Sequence, residues 1–116
     1  MAALNFAARI LPGKYDQWKA MHDQFLEGGS RRAEWEDQMK RYGITRQLVS
    51  LQRTPDGDFV VVLFEGENPG AMMAGLVGSD NEFDKWFAQN IKEIHGIDME
   101  HAPPGPISEV VLEINT

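Results

Sequence analysis

Four side chains in this sequence are of types that bind small molecules or transfer protons. Asn5 and Arg9 lie in the first segment of the chain, and Trp86 and His95 lie nine residues apart near its end. An amide can orient a bound molecule, a guanidinium can hold a carboxylate, and an imidazole can serve as a base or an iron ligand. These four residues are the candidate ligand-binding set, and Asn5 and His95 are the candidate catalytic groups.

Two of these candidates also have structural explanations. His95 precedes Gly96 at the predicted end of a helix, where an imidazole faces the negative end of the helix dipole and can cap free carbonyls. Trp86 stands among Phe83 and Phe87, which favours packing in a core. Because each helical residue turns by about 100°, nine steps place Trp86 and His95 on opposite sides of the helix.

Arg9 is expected to need a partner. Alternation along the first strand places Asn5 and Arg9 on one face, opposite Phe6, and we expect this face to be covered. An unpaired charge on a covered face is costly. Its partner could be a carboxylate of the chain or that of a small acidic ligand. The candidate partners within the chain are Glu65, Glu109 and Glu113.

The other two histidines carry no predicted chemistry. His22 is adjacent to Asp23 in a predicted helix, so we expect their side chains to point in different directions and to form no dyad. His101 stands near Asp98 and Glu100, which are metal-ligating types, but no helix or strand fixes their geometry. The sequence therefore predicts no metal site.

Composition restricts the function. The chain has 116 residues, 42% of them hydrophobic, which indicates one folded domain over 1–116. A formal charge of −7 disfavours nucleic acid and anionic membranes as partners. The absence of cysteine excludes disulfides and thiol nucleophiles. No segment has the pattern of a signal peptide or a membrane span, so we expect a cytoplasmic protein.

Hydrophobic periodicity predicts the element order β-α-β-β-α-β. The predicted strands cover 4–11, 44–53, 59–64 and 107–114. The predicted helical segments cover 14–26, 31–42, 71–77 and 83–95. Ser30 is the expected N-cap of the second helical segment, and Gly96 is the expected end of the last one.

This order is the ferredoxin-like arrangement of an α+β fold, in which both main helices cover one face of a four-stranded antiparallel sheet. The third strand, residues 60–64, is apolar on both faces, although a strand with one solvated face should alternate. A soluble protein seldom leaves such a face bare, and a symmetric partner is the common solution. We therefore predict a homodimer whose sheets pack face to face.

The element order, the two-sided apolar strand, and the segments 65–69 and 83–87 resemble the dimeric α+β barrel superfamily. It includes antibiotic-biosynthesis-monooxygenase-like, EthD-like and stress-responsive barrel proteins. The resemblance implies a ferredoxin-like protomer, a dimeric barrel and a pocket between sheet and helices. It does not imply one activity, because a fold does not determine function.

A sharper resemblance is to the haem-degrading and cofactor-free monooxygenases of that superfamily. These enzymes use an Asn on the first strand with a Trp and a His near the last helix, and Asn5, Trp86 and His95 match these types. Three hypotheses follow. The first is a small-molecule-binding barrel without a cofactor, the second is a monooxygenase with or without haem, and the third is a module that only assembles with itself.

Overall fold

The computed structural model describes residues 2–99 and 108–116. Its elements follow the predicted order from the first strand to the last helix. They are β1 (Ala2–Arg9), α1 (Tyr15–Asp23), α2 (Arg32–Arg41), β2 (Ile44–Thr54), β3 (Gly57–Gly66), α3 (Gly70–Leu76) and α4 (Glu82–His95). The chain therefore has an α+β fold with an antiparallel sheet and helices, as the sequence predicted. Within the described residues, no helix is both long and apolar enough to cross a membrane.

Within the described residues the sheet has three strands in the order β1-β3-β2, and both pairings are antiparallel. Strand β3 lies at the centre, where it pairs through Val62 with Phe6 of β1 and Val49 of β2. Residues directly opposite one another in a ladder share a face. The register therefore places Phe6, Val62 and Val49 on the same side of the sheet.

The two faces of the sheet differ in burial. Val60, Val62 and Phe64 are buried under the helices, whereas Phe59, Val61 and Leu63 of the same strand are only half-buried on the other face. Each fully buried side chain of this size stabilises the fold by about 1.5–3 kcal/mol. The helices contribute most of the remaining core residues, which are Trp18, Met21, Met72, Met73, Leu76, Phe83, Phe87, Ala88 and Ile94.

The predicted fourth strand is wrong for the part of it that the structure describes. Residues 108–116 have no regular secondary structure and are exposed, and Ile107 lies outside the described residues. Among the described residues, one backbone hydrogen bond, from Ser108 N to Asn5 O at 2.8 Å, connects this segment to β1. Alternating side chains favour a strand only where a neighbour supplies a ladder, and one bond is not a ladder.

Helix ends are determined by local side chains, and one prediction fails here. Ser30 is not an N-cap, because α2 begins at Arg32 and the Ser30 hydroxyl donates to Gln24 Oε1 at 3.5 Å instead. Helix α4 is capped at its start by Asn81, whose side chain accepts a hydrogen bond from Asp84 N. It ends at Gly96, as predicted, with a φ of 74° that favours glycine.

The buried carboxylate of Asp84, which lies in α4, is bonded both to α2 and to the loop before α4. The Asp84 oxygens accept hydrogen bonds from both Arg41 Nη atoms at 2.8 and 3.0 Å and from Gln38 Nε2 at 3.0 Å. Tyr42 Oη and Ser79 Oγ each donate to it at 2.8 Å. Burial alone raises the pKa of Asp84, but these donors outweigh it and hold the pKa well below its usual range.

We expect Asp84→Asn to lower the free energy of unfolding by about 3 kcal/mol at pH 7, because it removes the buried carboxylate that both Arg41 Nη atoms bind. A carboxyl with a depressed pKa stabilises the fold above its unfolded pKa of about 3.9 and loses that contribution as the pH falls below it. The free energy of unfolding of Asp84→Asn should therefore fall less steeply than that of the wild type as the pH is lowered. Urea denaturation from pH 7 down to pH 3 measures both effects.

Asp37→Asn is the matched control, because Asp37 binds the same arginine, at Nε and 2.9 Å, but its side chain is 63% exposed. We expect it to cost less than about 0.5 kcal/mol. Equal losses in the two variants would mean that burial of the carboxylate is not what makes the Asp84 network important.

Candidate functional site

A cavity of about 330 Å³ lies between the helix-facing side of the sheet and the helices. This volume is near the lower end of the range for small-molecule pockets, roughly 300–1,000 Å³. Its floor is apolar, because all but one of the strand side chains that form it are hydrophobic. The floor residues are Phe6, Ala8, Gln47, Val49, Val60, Val62 and Phe64.

The helices and the segments that follow them form the walls of the cavity. Aromatic rings and methionines make up most of this surface, and methionine side chains adapt to irregular shapes because they are unbranched and polarizable. The main wall residues are Trp18, Met21, Phe25, Trp35, Met72, Met73, Phe87, Ile91, Ile97 and Met99. The lining is therefore suited to an apolar molecule.

His95 is one of the few polar groups on the lining. Its Nδ1 lies 2.7 Å from the backbone oxygen of Arg9, so Nδ1 carries the proton and Nε2 has a free lone pair. Burial lowers the pKa of His95, and the bond to the Arg9 carbonyl only partly opposes it. His95 thus joins α4 to β1 as a neutral imidazole, and does not cap its own helix as the sequence suggested.

His22 also lines the cavity and stacks on Trp18, with ring centroids 5.0 Å apart. Its Nδ1 lies 3.4 Å from Asp23 Oδ1, so the expectation that these adjacent side chains do not meet was wrong. The other Asp23 oxygen binds Lys19 at 2.9 Å. Residue 22 is therefore a second imidazole at the same cavity, with a carboxylate beside it.

Two cavity-lining residues each have a buried polar atom without a hydrogen-bond partner among the described residues. They are the indole donor Trp35 Nε1 and the amide acceptor Gln47 Oε1. Buried polar groups are ordinarily paired, and leaving one unpaired costs about 1–3 kcal/mol. Both atoms have almost no exposed surface, so protein atoms cover them.

Arg9 and His95 are the two predicted site residues that line the cavity. The Arg9 guanidinium, however, donates to Asp56 O at 3.3 Å in an exposed position. Its predicted ion pair is not formed among the described residues, and Glu65 instead accepts from Arg46 at 2.6 Å. Arg9 is exposed, so it needs no buried partner.

The structure does not bring Asn5 and Trp86 to the cavity. Asn5 lies on β1 on the side opposite Phe6, which is the sheet face that the helices leave open. Trp86 packs against Phe83 at a centroid distance of 5.7 Å, and the Arg31 guanidinium lies 3.9 Å from its ring centroid. The four predicted residues therefore do not form one site.

Sequence reasoning missed Trp18, His22, Trp35 and Gln47 as lining residues. Gln47 could have been recognised from the sequence. It stands two residues before Val49 on β2 and therefore shares its face, so it is a polar residue beside apolar ones. Trp18 and His22 are one helical turn apart, which was compatible with a core position and gave no sign of a cavity. Only the tertiary packing shows that Trp35 reaches the same space.

The comparisons with known proteins support the fold and no more. No family model matches the chain, and no curated protein matches it. Among solved structures, an L-rhamnose mutarotase from Formosa agariphila is similar, with a TM-score of 0.64 over 99% of this chain and 100% of that chain. The two sequences are 16% identical, so this likeness supports the broad α+β fold alone.

We expect an NMR titration to place the pKa of His95 below 6.5, because burial disfavours the imidazolium. A lowered pKa means that the unfolded chain binds this proton more readily than the folded one. His95 should therefore stabilise the fold fully above about pH 6.5 and progressively less as the pH falls below it.

His95→Gln should remove this component from the pH dependence of the free energy of unfolding, whereas His22→Gln should keep it. Chemical denaturation between pH 8 and pH 5 compares the three proteins. A His95 that titrates at or above 6.5 would contradict the neutral, carbonyl-bonded imidazole.

Proposed function

We propose that this protein binds a small, uncharged and largely apolar molecule in the cavity between sheet and helices. The size of the cavity is the observation that carries this proposal. Leaving the apolar lining of this cavity of about 330 Å³ in contact with water costs about 25 cal/mol for each Å² of apolar surface. A bound molecule that fills the space recovers much of that free energy.

The charge of the lining supports an uncharged ligand. Apart from the two imidazoles, Arg9 is the one ionisable side chain of the described lining, and its guanidinium is bonded to Asp56 O in an exposed position. An anion in the cavity would therefore lie in an apolar space without a cation beside it, which is costly. This argues against the acidic ligand that Arg9 suggested in the sequence.

The described residues do not fit a haem, and we propose no cofactor. The amide that should orient oxygen, Asn5, lies on the opposite face of the sheet from His95. The anionic propionates of a haem need cationic partners, and among the described lining residues the only permanent cation is Arg9, whose guanidinium is bonded to Asp56 O. Because Asn5 and His95 lie on opposite sides of the sheet, they cannot act together on one substrate as the monooxygenase hypothesis requires.

The neighbour's title names an enzyme that acts on L-rhamnose, and this cavity differs from what such a sugar requires. A sugar carries hydroxyl groups around its ring, and each buried hydroxyl needs a hydrogen-bond partner. Of the five polar residues on the described lining, Arg9 donates to Asp56 O, His95 Nδ1 is bonded to Arg9 O, and the unpaired atoms of Trp35 and Gln47 are covered by protein atoms, which leaves few partners for hydroxyl groups. We therefore infer a ligand with fewer polar groups than a sugar.

Ala8→Leu tests the cavity as a binding site. Ala8 is buried on the floor of the cavity, so a larger side chain there occupies ligand space. We expect 2-methylnaphthalene, an apolar probe, to quench tryptophan fluorescence in the wild type and to bind Ala8→Leu at least about tenfold more weakly.

Ala20→Leu adds the same atoms on the exposed side of α1 and should leave probe affinity unchanged. Native mass spectrometry of protein purified from its own host would identify a retained ligand. Failure of the wild type to bind the probe and to retain any ligand would refute the proposed function.

We infer that a second copy of the chain covers the open sheet face. Val61, Leu63 and Phe59 are half-buried there, and Leu48 beside them is 47% exposed. The C-terminal segment 108–116 adds more exposed apolar surface, and it begins at the open edge of β1 through the bond to Asn5 O. This surface comprises Val110, Val111, Leu112 and Ile114. The cavity between sheet and helices favours ligand binding over a module that only assembles with itself.

Val61→Asp should shift the protein from dimer to monomer, because it places a charge in the centre of the open face. Val62 is unsuitable for this test, since it is buried under the helices and a charge there would unfold the chain. Ala33→Asp on the exposed side of α2 is the control. Analytical ultracentrifugation at micromolar concentration measures the mass, and a monomeric wild type would contradict the inference.

A further inference from the structure

Residues 108–116, here called the C-terminal arm, have a binding site on a second copy of the chain. We propose that the arm of one copy adds as a strand to the free edge of β2 in the other copy, so that two copies exchange their arms. This inference rests on the proposed dimer and goes beyond it, because it states which segment joins the copies and where that segment binds. It does not depend on the ligand cavity.

The arm has the side chains of a strand but lacks a neighbouring strand. It has no regular secondary structure, and all nine of its residues are exposed. Its large hydrophobic residues are 58–88% exposed, and they are Val110, Val111, Leu112 and Ile114. Elsewhere among the described residues, the exposed large hydrophobics are Leu26 and Leu48. Valine and isoleucine favour strands, and a strand forms where a neighbour supplies a ladder.

The arm's own sheet does not supply this neighbour. Helix α4 ends beside the end of β1, where Leu11 N donates to Ile94 O at 2.8 Å, and Ser108 N donates to Asn5 O in the middle of β1. The chain therefore returns along β1 toward the start of that strand. Because β1 begins at Ala2, three residues before Asn5, most of the arm extends past the end of its own sheet.

The free edge of β2 has the properties that a strand-binding site needs. Strand β2 lies at one side of the sheet, and no described strand pairs with its outer edge. An unpaired edge presents backbone N–H and C=O groups that can bind another strand. Leu48 on β2 is also the one exposed large hydrophobic residue of the described sheet. An arm on this edge covers Leu48 and gains its ladder.

The charges of the arm and of β2 are complementary. The arm carries Glu109 and Glu113 and no cation, whereas β2 carries Arg46 and Arg53 and no acidic residue. Both arginines pair with acidic residues of β3, but their side chains remain 56% and 65% exposed. A guanidinium has five N–H donors, so each can bind a second carboxylate. Opposite charges on neighbouring strands stabilise the pairing and help to select the partner.

The β2 edge that binds the arm belongs to another copy. The arm leaves from the outer edge of β1, and the outer edge of β2 lies on the opposite side of the described three-stranded sheet. An arm that returned to its own β2 would have to reverse its direction and cross the sheet. Two copies related by a two-fold axis satisfy both arms at once.

Single cysteines test this contact, because the chain has none of its own. Leu112→Cys is equilibrated with Leu48→Cys and oxidised, so that a disulfide between the two variants joins two copies. Leu26→Cys is the matched control for Leu48→Cys, since Leu26 is 49% exposed but follows α1. A disulfide requires Cα atoms within about 7 Å. We expect at least about tenfold more mixed disulfide with Leu48→Cys, measured by mass spectrometry.

Leu112→Asp tests the contribution of the arm to association. It places a charge on a side chain that the second copy buries, so it should weaken the dimer at least about tenfold. Asn115→Asp adds the same charge at a polar position of the arm and should have a much smaller effect. Both residues are exposed within one copy, so neither change should unfold the chain. Sedimentation equilibrium measures the dissociation constants, and circular dichroism checks the fold.

The outcomes separate this inference from the dimer on which it rests. A dimer that Leu112→Asp leaves unchanged, with equal mixed disulfide to Leu48→Cys and Leu26→Cys, would overturn arm exchange and leave the open faces as the contact. A doubly substituted L48C/L112C chain that forms only an internal disulfide would assign the arm to its own sheet. A monomeric wild type would overturn the dimer as well. Probe binding in the cavity is measured separately and is unaffected by these results.

Discussion

The arrangement of the helices depends on the buried carboxylate of Asp84. Its oxygens accept five hydrogen bonds from four side chains, three of which lie at the end of α2 or just after it. An apolar pair of the same volume could stabilise the two helices as well, because desolvating charges is expensive. It would not fix their relative position through directed bonds. Trp35 on α2 and Phe87 on α4 both line the cavity, so that position determines its shape.

The central strand β3 explains why this sheet has two different surfaces. Val60, Val62 and Phe64 form the floor of the cavity, and the alternate residues Phe59, Val61 and Leu63 form the open face. A strand that is apolar on both sides is needed only when both sides are covered. The same ten-residue strand thus supports the ligand cavity and the proposed contact between copies.

Much of this fold could be predicted from local patterns, and the failures have one cause. The hairpin of β2 and β3 and the end of α4 at Gly96 follow from turn chemistry and periodicity, which act within a few residues. Alternation also placed Asn5 and Arg9 correctly opposite Phe6, but it does not say which face of a sheet borders a cavity. The alternating residues after Ser108 form no strand, because a strand needs a neighbour that local sequence does not specify.

Helix α4 forms one wall of the cavity and is fixed at both ends. Near its start Asp84 binds α2, and at its end two bonds reach the end of β1 and the residues after it: His95 Nδ1 to Arg9 O at 2.7 Å and Leu11 N to Ile94 O at 2.8 Å. A helix held at both ends cannot move far to fit a ligand. The adaptation must therefore come from side chains, and four lining residues are methionines, which change shape at little cost. Met21, Met72, Met73 and Met99 thus allow the cavity to fit apolar molecules of different shapes.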